Sequence, residues 1–164
     1  MKDLVNNLNN DNTAITIICI TALIVFILGI LIFLKKIIKR KKTNKLDEME
    51  GHEFEVFCAQ LLKKKGFQEV EITKQSRDYG LDILAEKEGI TYGIQCKCYH
   101  SPIGIKAIQE TYAGKDYYDR MIGVVLTNQY FTTPAVETAN KLKILLWDRG
   151  YLESMMEEED NSGF

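Results

Sequence analysis

From Ala14 to Leu34 the chain runs for 21 residues without a charge, proline, asparagine or glutamine. At roughly 1.5 Å per helical residue this stretch spans about 30 Å, the thickness of a bilayer's hydrocarbon core. A buried helix in a soluble core rarely runs this long without a polar side chain. A cleaved signal peptide has its basic residues first, then an apolar stretch of about 7–15 residues and a small-residue cleavage site. Here the basic residues come after the apolar stretch, and no A-x-A pattern follows it. The reading is a retained transmembrane helix over 14–34. Seven basic residues lie between Lys35 and Lys45, against Lys2 alone on the other flank. Positive charge stays on the cytoplasmic side, so residues 1–13 are placed outside and 35–164 in the cytoplasm. The same basic run also fits a nucleic-acid patch, and the two roles can coexist.

Charge divides the chain in two. Residues 1–45 hold 8 basic and 2 acidic side chains, a net of +6, whereas residues 46–164 hold 13 basic and 21 acidic ones, a net of −8. With 2 Pro, 11 Gly and 46% hydrophobic residues, a collagenous, low-complexity or wholly disordered chain is excluded. Cys19 falls in the apolar stretch. Cys58, Cys96 and Cys98 remain for a cytoplasmic part, where three thiols do not suggest a disulfide framework.

Residues 35–50 read as a basic juxtamembrane linker. From His52 to Lys65 the apolar positions Phe54, Phe57, Cys58, Leu61 and Leu62 recur at helical spacing, and Gly66 stands where a helix ends. Strands are expected over Phe67–Thr73, Leu81–Glu86 and Thr91–Tyr99. The last two are joined by a reversal at Lys87–Ile90, where Glu88-Gly89 suits a tight hairpin. Lys106–Tyr118 reads as a helix. Met121–Thr127 is apolar almost throughout, as a strand buried on both faces would be. A helix over Thr133–Leu142 and a strand over Lys143–Trp147 follow. Residues 153–164, with the acidic run Glu157–Asp160, read as a disordered tail. The order predicts an α/β domain over 51–152, with a mixed β-sheet flanked by helices.

Strand alternation gathers a polar group. Gln95, Lys97 and Tyr99 share one strand face, and Ile94, Cys96 and Cys98 the other. If the two hairpin strands pair, Asp82 falls beside Gln95 and Lys97. A carboxylate and an amide oxygen suit a hard cation such as Mg²⁺, and a nearby lysine can orient or deprotonate a water attacking a phosphate. An Asp–Lys cross-strand pair on the surface is the other reading of the same residues. The string C-x-C-x-H (Cys96, Cys98, His100) resembles a metal-ligand run. However, its cysteines face the expected core, no second ligand pair accompanies it, and it reads as packing. Ser76 and Asp78 read as turn formers, and Trp147 as core.

Six strings occur together and in order: G-x-E-F-E (Gly51–Glu55), D-x-G-L-D-I (Asp78–Ile83), I-Q-C-K-C-Y (Ile94–Tyr99), A-I-Q-E-x-Y-A-G (Ala107–Gly114), V-V-L-T-N-x-x-F-T (Val124–Thr132) and L-W-D-R (Leu146–Arg149). In these the chain resembles the Mrr-like restriction endonucleases, a branch of the PD-(D/E)xK nuclease superfamily, over about residues 50–152. The resemblance implies a restriction-endonuclease-like fold and an Mg²⁺-dependent DNA endonuclease acting in restriction or defence against foreign or modified DNA. By it, Asp82, Gln95 and Glu55 bind the metal and Lys97 completes the catalytic set. Gln109 lies in the following helix without an assigned role. Glu53 sits about 200° around its helix from Glu55, so only one of the two joins the site.

The wider superfamily has Asp or Glu where this chain has Gln95, so the site leans on Asp82 and Glu55. The acidic domain lacks the positive footprint that DNA binding usually requires. Weak intrinsic affinity for DNA follows, with specificity supplied by structure, modification or a partner. Double-strand cleavage would be natural for a homodimer. These two features also motivate an alternative: a catalytically weak or inactive nuclease-fold module that senses DNA at the membrane.

Overall fold

Glu88 and Gly89 both take left-handed backbone angles, with φ of 54° and 77°. Two consecutive residues of this kind make the turn whose twist matches a pair of antiparallel strands. That turn joins β2 (Ile83–Lys87) to β3 (Ile90–Lys97), with Ile83 opposite Ile94 and Lys87 opposite Ile90. The fold is that of a computed structural model, which describes residues 20–37, 46–74 and 79–161. The expectations for 1–13, for Cys19 and the start of the apolar stretch, for most of the basic run, and for Ser76, Asp78 and 162–164 lie outside the described residues.

The chain forms two units, 1–42 and 43–164. In the first, helix α1 (Ile20–Ile37) is long and apolar enough to cross a membrane by length and composition, a test that a signal sequence also passes. Its side chains are exposed throughout.

In the second unit, α2 (Gly51–Lys64) precedes β1 (Gln68–Ile72), which pairs antiparallel with β2 through one irregularity between Gln68 and Glu71. Helix α3 (Ile105–Tyr117) carries the chain to β4 (Ile122–Thr127), parallel to β3. Helix α4 (Thr133–Leu142) leads to β5 (Ile144–Trp147), parallel to β4. The five strands lie in chain order, an antiparallel meander extended by two parallel crossovers. Helix α4 starts at Thr132, whose hydroxyl accepts from Ala135 N at 3.4 Å. Thr132→Ala removes this cap and is expected to cost about 1 kcal/mol, read as a lower unfolding midpoint of the full chain in detergent.

Each face of the sheet buries its own core. Phe54, Cys58, Leu61 and Leu62 of α2 pack on Ile83, Ala85, Ile94, Cys96, Val124 and Leu126. On the opposite face Ala107, Ile108, Ala135 and Ala139 pack on Val125 and Ile144. The alternation of Val124, Val125 and Leu126 between the two clusters is why β4 reads as an unbroken apolar run. Trp147 is core, as expected.

Two expected boundaries are corrected. Residues 149–161 form helix α5 (Arg149–Asn161) rather than a disordered tail from 153. Leu152 and Met155, one helical turn apart, are buried in the same core as Phe54, so the acidic residues after them extend an amphipathic helix. The folded domain also starts before Gly51. Residues 46–48 make a helical turn, and the buried Leu46 joins the core, so the linker expected over 35–50 ends sooner.

Candidate active site

Gln95 sits on the face of β3 that looks toward α3, beside Val125 in the register. Only 4% of it is exposed. Burying a primary amide costs free energy unless its hydrogen bonds are met. One half is met: Gln95 Nε2 donates to Asp82 Oδ2 at 2.5 Å. The other half is not, since Gln95 Oε1 is buried without a hydrogen-bond partner among the described residues. Asp82 is itself 7% exposed and also accepts from Cys96 N at 2.7 Å. The continued pairing of Asp82 N with Ile94 O, at 2.9 Å, holds this carboxylate opposite Gln95.

The loop that delivers Asp82 is pressed onto α3. Gly80 has φ of 87°, and a Cβ there would lie 2.5 Å from the Glu110 carbonyl oxygen. A Cβ on Gly114 would lie 2.6 Å from the Tyr79 carbonyl oxygen. Both glycines of the D-x-G-L-D and A-I-Q-E-x-Y-A-G strings are there because backbone meets backbone.

Lys97 keeps to the Gln95 face, two residues on. Its Nζ lies 3.1 Å from Glu110 Oε2 on α3, and Lys106 Nζ lies 3.7 Å from the other oxygen. The end of β3 is pinned from β4, where Thr127 Oγ1 donates to Lys97 O at 2.7 Å. Asn128, fully buried, then accepts from Tyr99 N at 2.9 Å. Glu110 was not singled out by the sequence. Its signals were its place in the A-I-Q-E-x-Y-A-G string and the spacing of four from Lys106, which also fits an ordinary solvent-exposed helix pair.

Glu55 comes from the other layer. It is half-buried on α2, with His52 Nδ1 at 3.0 Å from Oε2, whereas Glu53 is exposed. The Cys96 thiol is pushed well above its ordinary pKa by its hydrogen bond to Cys58, by burial, and by the charges of Cys58, Asp82 and Glu55. Both carboxylates therefore act electrostatically on the same sulfur. Gln109 is exposed.

Cys58 and Cys96 are buried, Cys98 Sγ donates to Met49 O at 3.3 Å, and His100 is exposed beyond the strand. The three cysteines pack in or against the core, and His100 stands apart from it. Among the described residues no three His, Cys, Asp or Glu side chains are grouped to hold a metal. The oxygen set of Asp82 with the unpartnered Gln95 Oε1 nevertheless fits a hard divalent cation, which would satisfy the orphaned atom.

A search of curated proteins finds no relative of this chain. Among solved structures it is similar to the crystal structure of a protein of unknown function, AF1548, with 24% identity and a TM-score of 0.56, covering 65% of each chain. It is also similar to the DNA modification-dependent restriction endonuclease AspBHI, with 14% identity, a TM-score of 0.59, and 73% of this chain and 35% of that one covered. Can2 from Sulfobacillus thermosulfidooxidans, solved with cyclic tetra-adenylate, follows at 14% identity and a TM-score of 0.50, with 66% and 35% covered. The chain thus spans about two thirds of the first and about a third of the other two. These likenesses carry the restriction-endonuclease-like fold. The Mrr catalytic model, described as restriction endonuclease, matches residues 46–156, more than half of the chain and nearly all of its folded domain. With Asp82 at the entry to β2 and Gln95 and Lys97 on β3 inside that match, the chain belongs to the Mrr-type restriction endonuclease family.

Proposed function

We propose that this protein is a membrane-anchored, Mg²⁺-dependent DNA endonuclease that faces the cytoplasm and acts in restriction or defence. The observation that carries the reading is the pairing of two buried oxygen donors, Asp82 and Gln95, with Gln95 Oε1 left unpartnered on the strand that also presents Lys97. Asp82, Gln95 Oε1 and Glu55 would hold the cation, and a bound Mg²⁺ neutralises phosphate charge and lowers the pKa of bound water.

The chain's own residues do the rest. Gln95 Nε2 and Cys96 N–H fix the Asp82 carboxylate by two hydrogen bonds, so it needs no reorganisation when substrate arrives. Lys97 Nζ has hydrogen-bond donors to orient the attacking water and to stabilise charge developing on the phosphate. Glu110 holds the amine in place until a phosphate competes for it. Anchoring through α1, with the basic residues after it kept inside, supports action near the cytoplasmic membrane surface. Cutting both strands with one site per chain calls for two copies.

Full-length protein in detergent, incubated with supercoiled plasmid and Mg²⁺, is expected to yield nicked and linear forms. A chelator should abolish the products and excess Mg²⁺ restore them, with methylated and unmethylated plasmid as parallel arms. DNA bound but never cut in either arm would remove the enzyme and leave a nuclease-fold sensor.

A further inference from the structure

All eight tyrosines lie among the described residues, and six of them are exposed. Five of the six stand on segments that border the candidate site. Tyr79 is in the loop before Asp82, Tyr99 is two residues past Lys97, Tyr112 and Tyr117 are on α3, and Tyr130 is in the loop after β4. The loops after β3 and β4 are tied together, since Ile103 N donates to Tyr130 O at 2.9 Å.

The most developed part is a stacked pair. The Tyr79 and Tyr117 rings lie 3.8 Å apart at 21°, and Tyr118 meets both edge-on. Tyr79 and Tyr117 remain 48% and 57% exposed. Tyr79 adopts φ of 46°, a strained angle for a residue with a side chain. Its carbonyl packs against Gly114, one turn along α3 from the Glu110 that holds Lys97. From Glu110 to Tyr117 is seven residues, about 10 Å of helix, or roughly three stacked nucleotides at about 3.4 Å each. Between them Lys115 Nζ lies 5.7 Å from the Tyr112 ring.

These faces meet an electrostatic difficulty. Residues 46–164 carry −8, so the counterion release that dominates duplex binding is weak here. Stacking on aromatic rings adds affinity beyond the phosphate contacts and tolerates any base, but it needs a base whose face is free. An intact duplex offers base edges in its grooves, not faces. We propose that the exposed tyrosines on the segments around the site stack on unpaired bases, so that the protein favours DNA with single-stranded character, including the unwound stretches of a supercoiled plasmid, over fully paired duplex. This rests on the nuclease reading above and specifies the substrate for the same site.

The experiment measures binding without metal, so cleavage does not enter. Full-length protein in detergent and chelator is titrated into a fluorescent oligodeoxythymidine and into a duplex of equal length, with anisotropy as readout. The single strand is expected to bind more tightly. Tyr79→Ala with Tyr117→Ala should weaken it at least about fivefold, the equivalent of one lost stack of roughly 1 kcal/mol. The corresponding Phe variants should bind as the parent does. If the double variant does not fold, judged by circular dichroism, Tyr117→Ala alone decides, because that ring is exposed at a helix end. Equal binding of duplex, unchanged binding by the Ala variants, or equal loss in the Phe variants would overturn the proposal. Tyrosine-dependent binding without any later cleavage would remove the nuclease instead, and cleavage with tyrosine-independent binding would remove only the stacking.

Discussion

Replacing Asp82 with Asn is expected to lower Mg²⁺-dependent cleavage by about a thousandfold, some 4 kcal/mol of barrier, while the domain stays folded. Asn keeps the shape of the side chain and an oxygen for the Cys96 N–H, which Asp82 now accepts at 2.7 Å. It loses the negative charge that would draw a cation to Gln95 Oε1. Gln95 is neutral, so Glu55 would be the one carboxylate left in the proposed ligand set. Lys97→Ala should be nearly as costly, about 10²–10³-fold, but for a different reason: the cation would still bind and the water would lose its partner. Nicking rates across Mg²⁺ concentrations separate the two, since only Asp82→Asn should raise the Mg²⁺ needed for half-maximal rate. If both variants nick plasmid at the parent rate, Asp82 and Lys97 are not the catalytic set.

The Asp82–Gln95 contact could be read from the sequence because two local rules fix it. Strand alternation puts Gln95 and Lys97 on one face, and a two-residue turn at Glu88-Gly89 leaves one register for β2 against β3. The same alternation kept Cys96 with Ile94 and so dismissed the C-x-C-x-H string. What could not be read joins layers rather than neighbours. Glu110 reaches Lys97 from a helix across 13 residues, and nothing in the alternation of β3 says which helix residue will meet it. Helix α5 was hidden by composition. Its acidic run resembles a solvated tail until Leu152 and Met155 are seen buried, and periodicity over a short amphipathic segment competes poorly with charge density. The expected start near Gly51 failed because Leu46 joins a core gathered from the whole domain and Asp47 pairs with Arg149, 102 positions away.

Arg149→Met tests that distant tie. Arg149 grips Asp47 with both ends of its fork, Nη1 to Oδ1 at 2.8 Å and Nη2 to Oδ2 at 2.9 Å. It also donates to Asn128 O at 2.9 Å and to Glu153 Oε1 at 3.2 Å. One side chain thus joins the segment before α2, the end of β4 and helix α5. Truncation leaves the partly buried Asp47 carboxylate with Asn128 Nδ2, at 3.2 Å, in place of its charged donors, and takes the Arg149 donor from the Asn128 carbonyl, at an expected cost of about 2–3 kcal/mol. For a domain of this size that is a fall of roughly 10 °C in Tm. The Arg149 hydrogen bond holds the Asp47 carboxyl below its ordinary value, against the opposing pull of burial. The folded protein therefore releases this proton more readily than the unfolded chain does. The resulting stability is complete above the unfolded value of about 4 and fades as pH falls from there through the lowered folded value. Melting curves of parent and variant should accordingly lie far apart near pH 7 and draw together below about pH 4. A constant separation at both would mean that Arg149 stabilises the fold by packing its stem and not through the Asp47 charge.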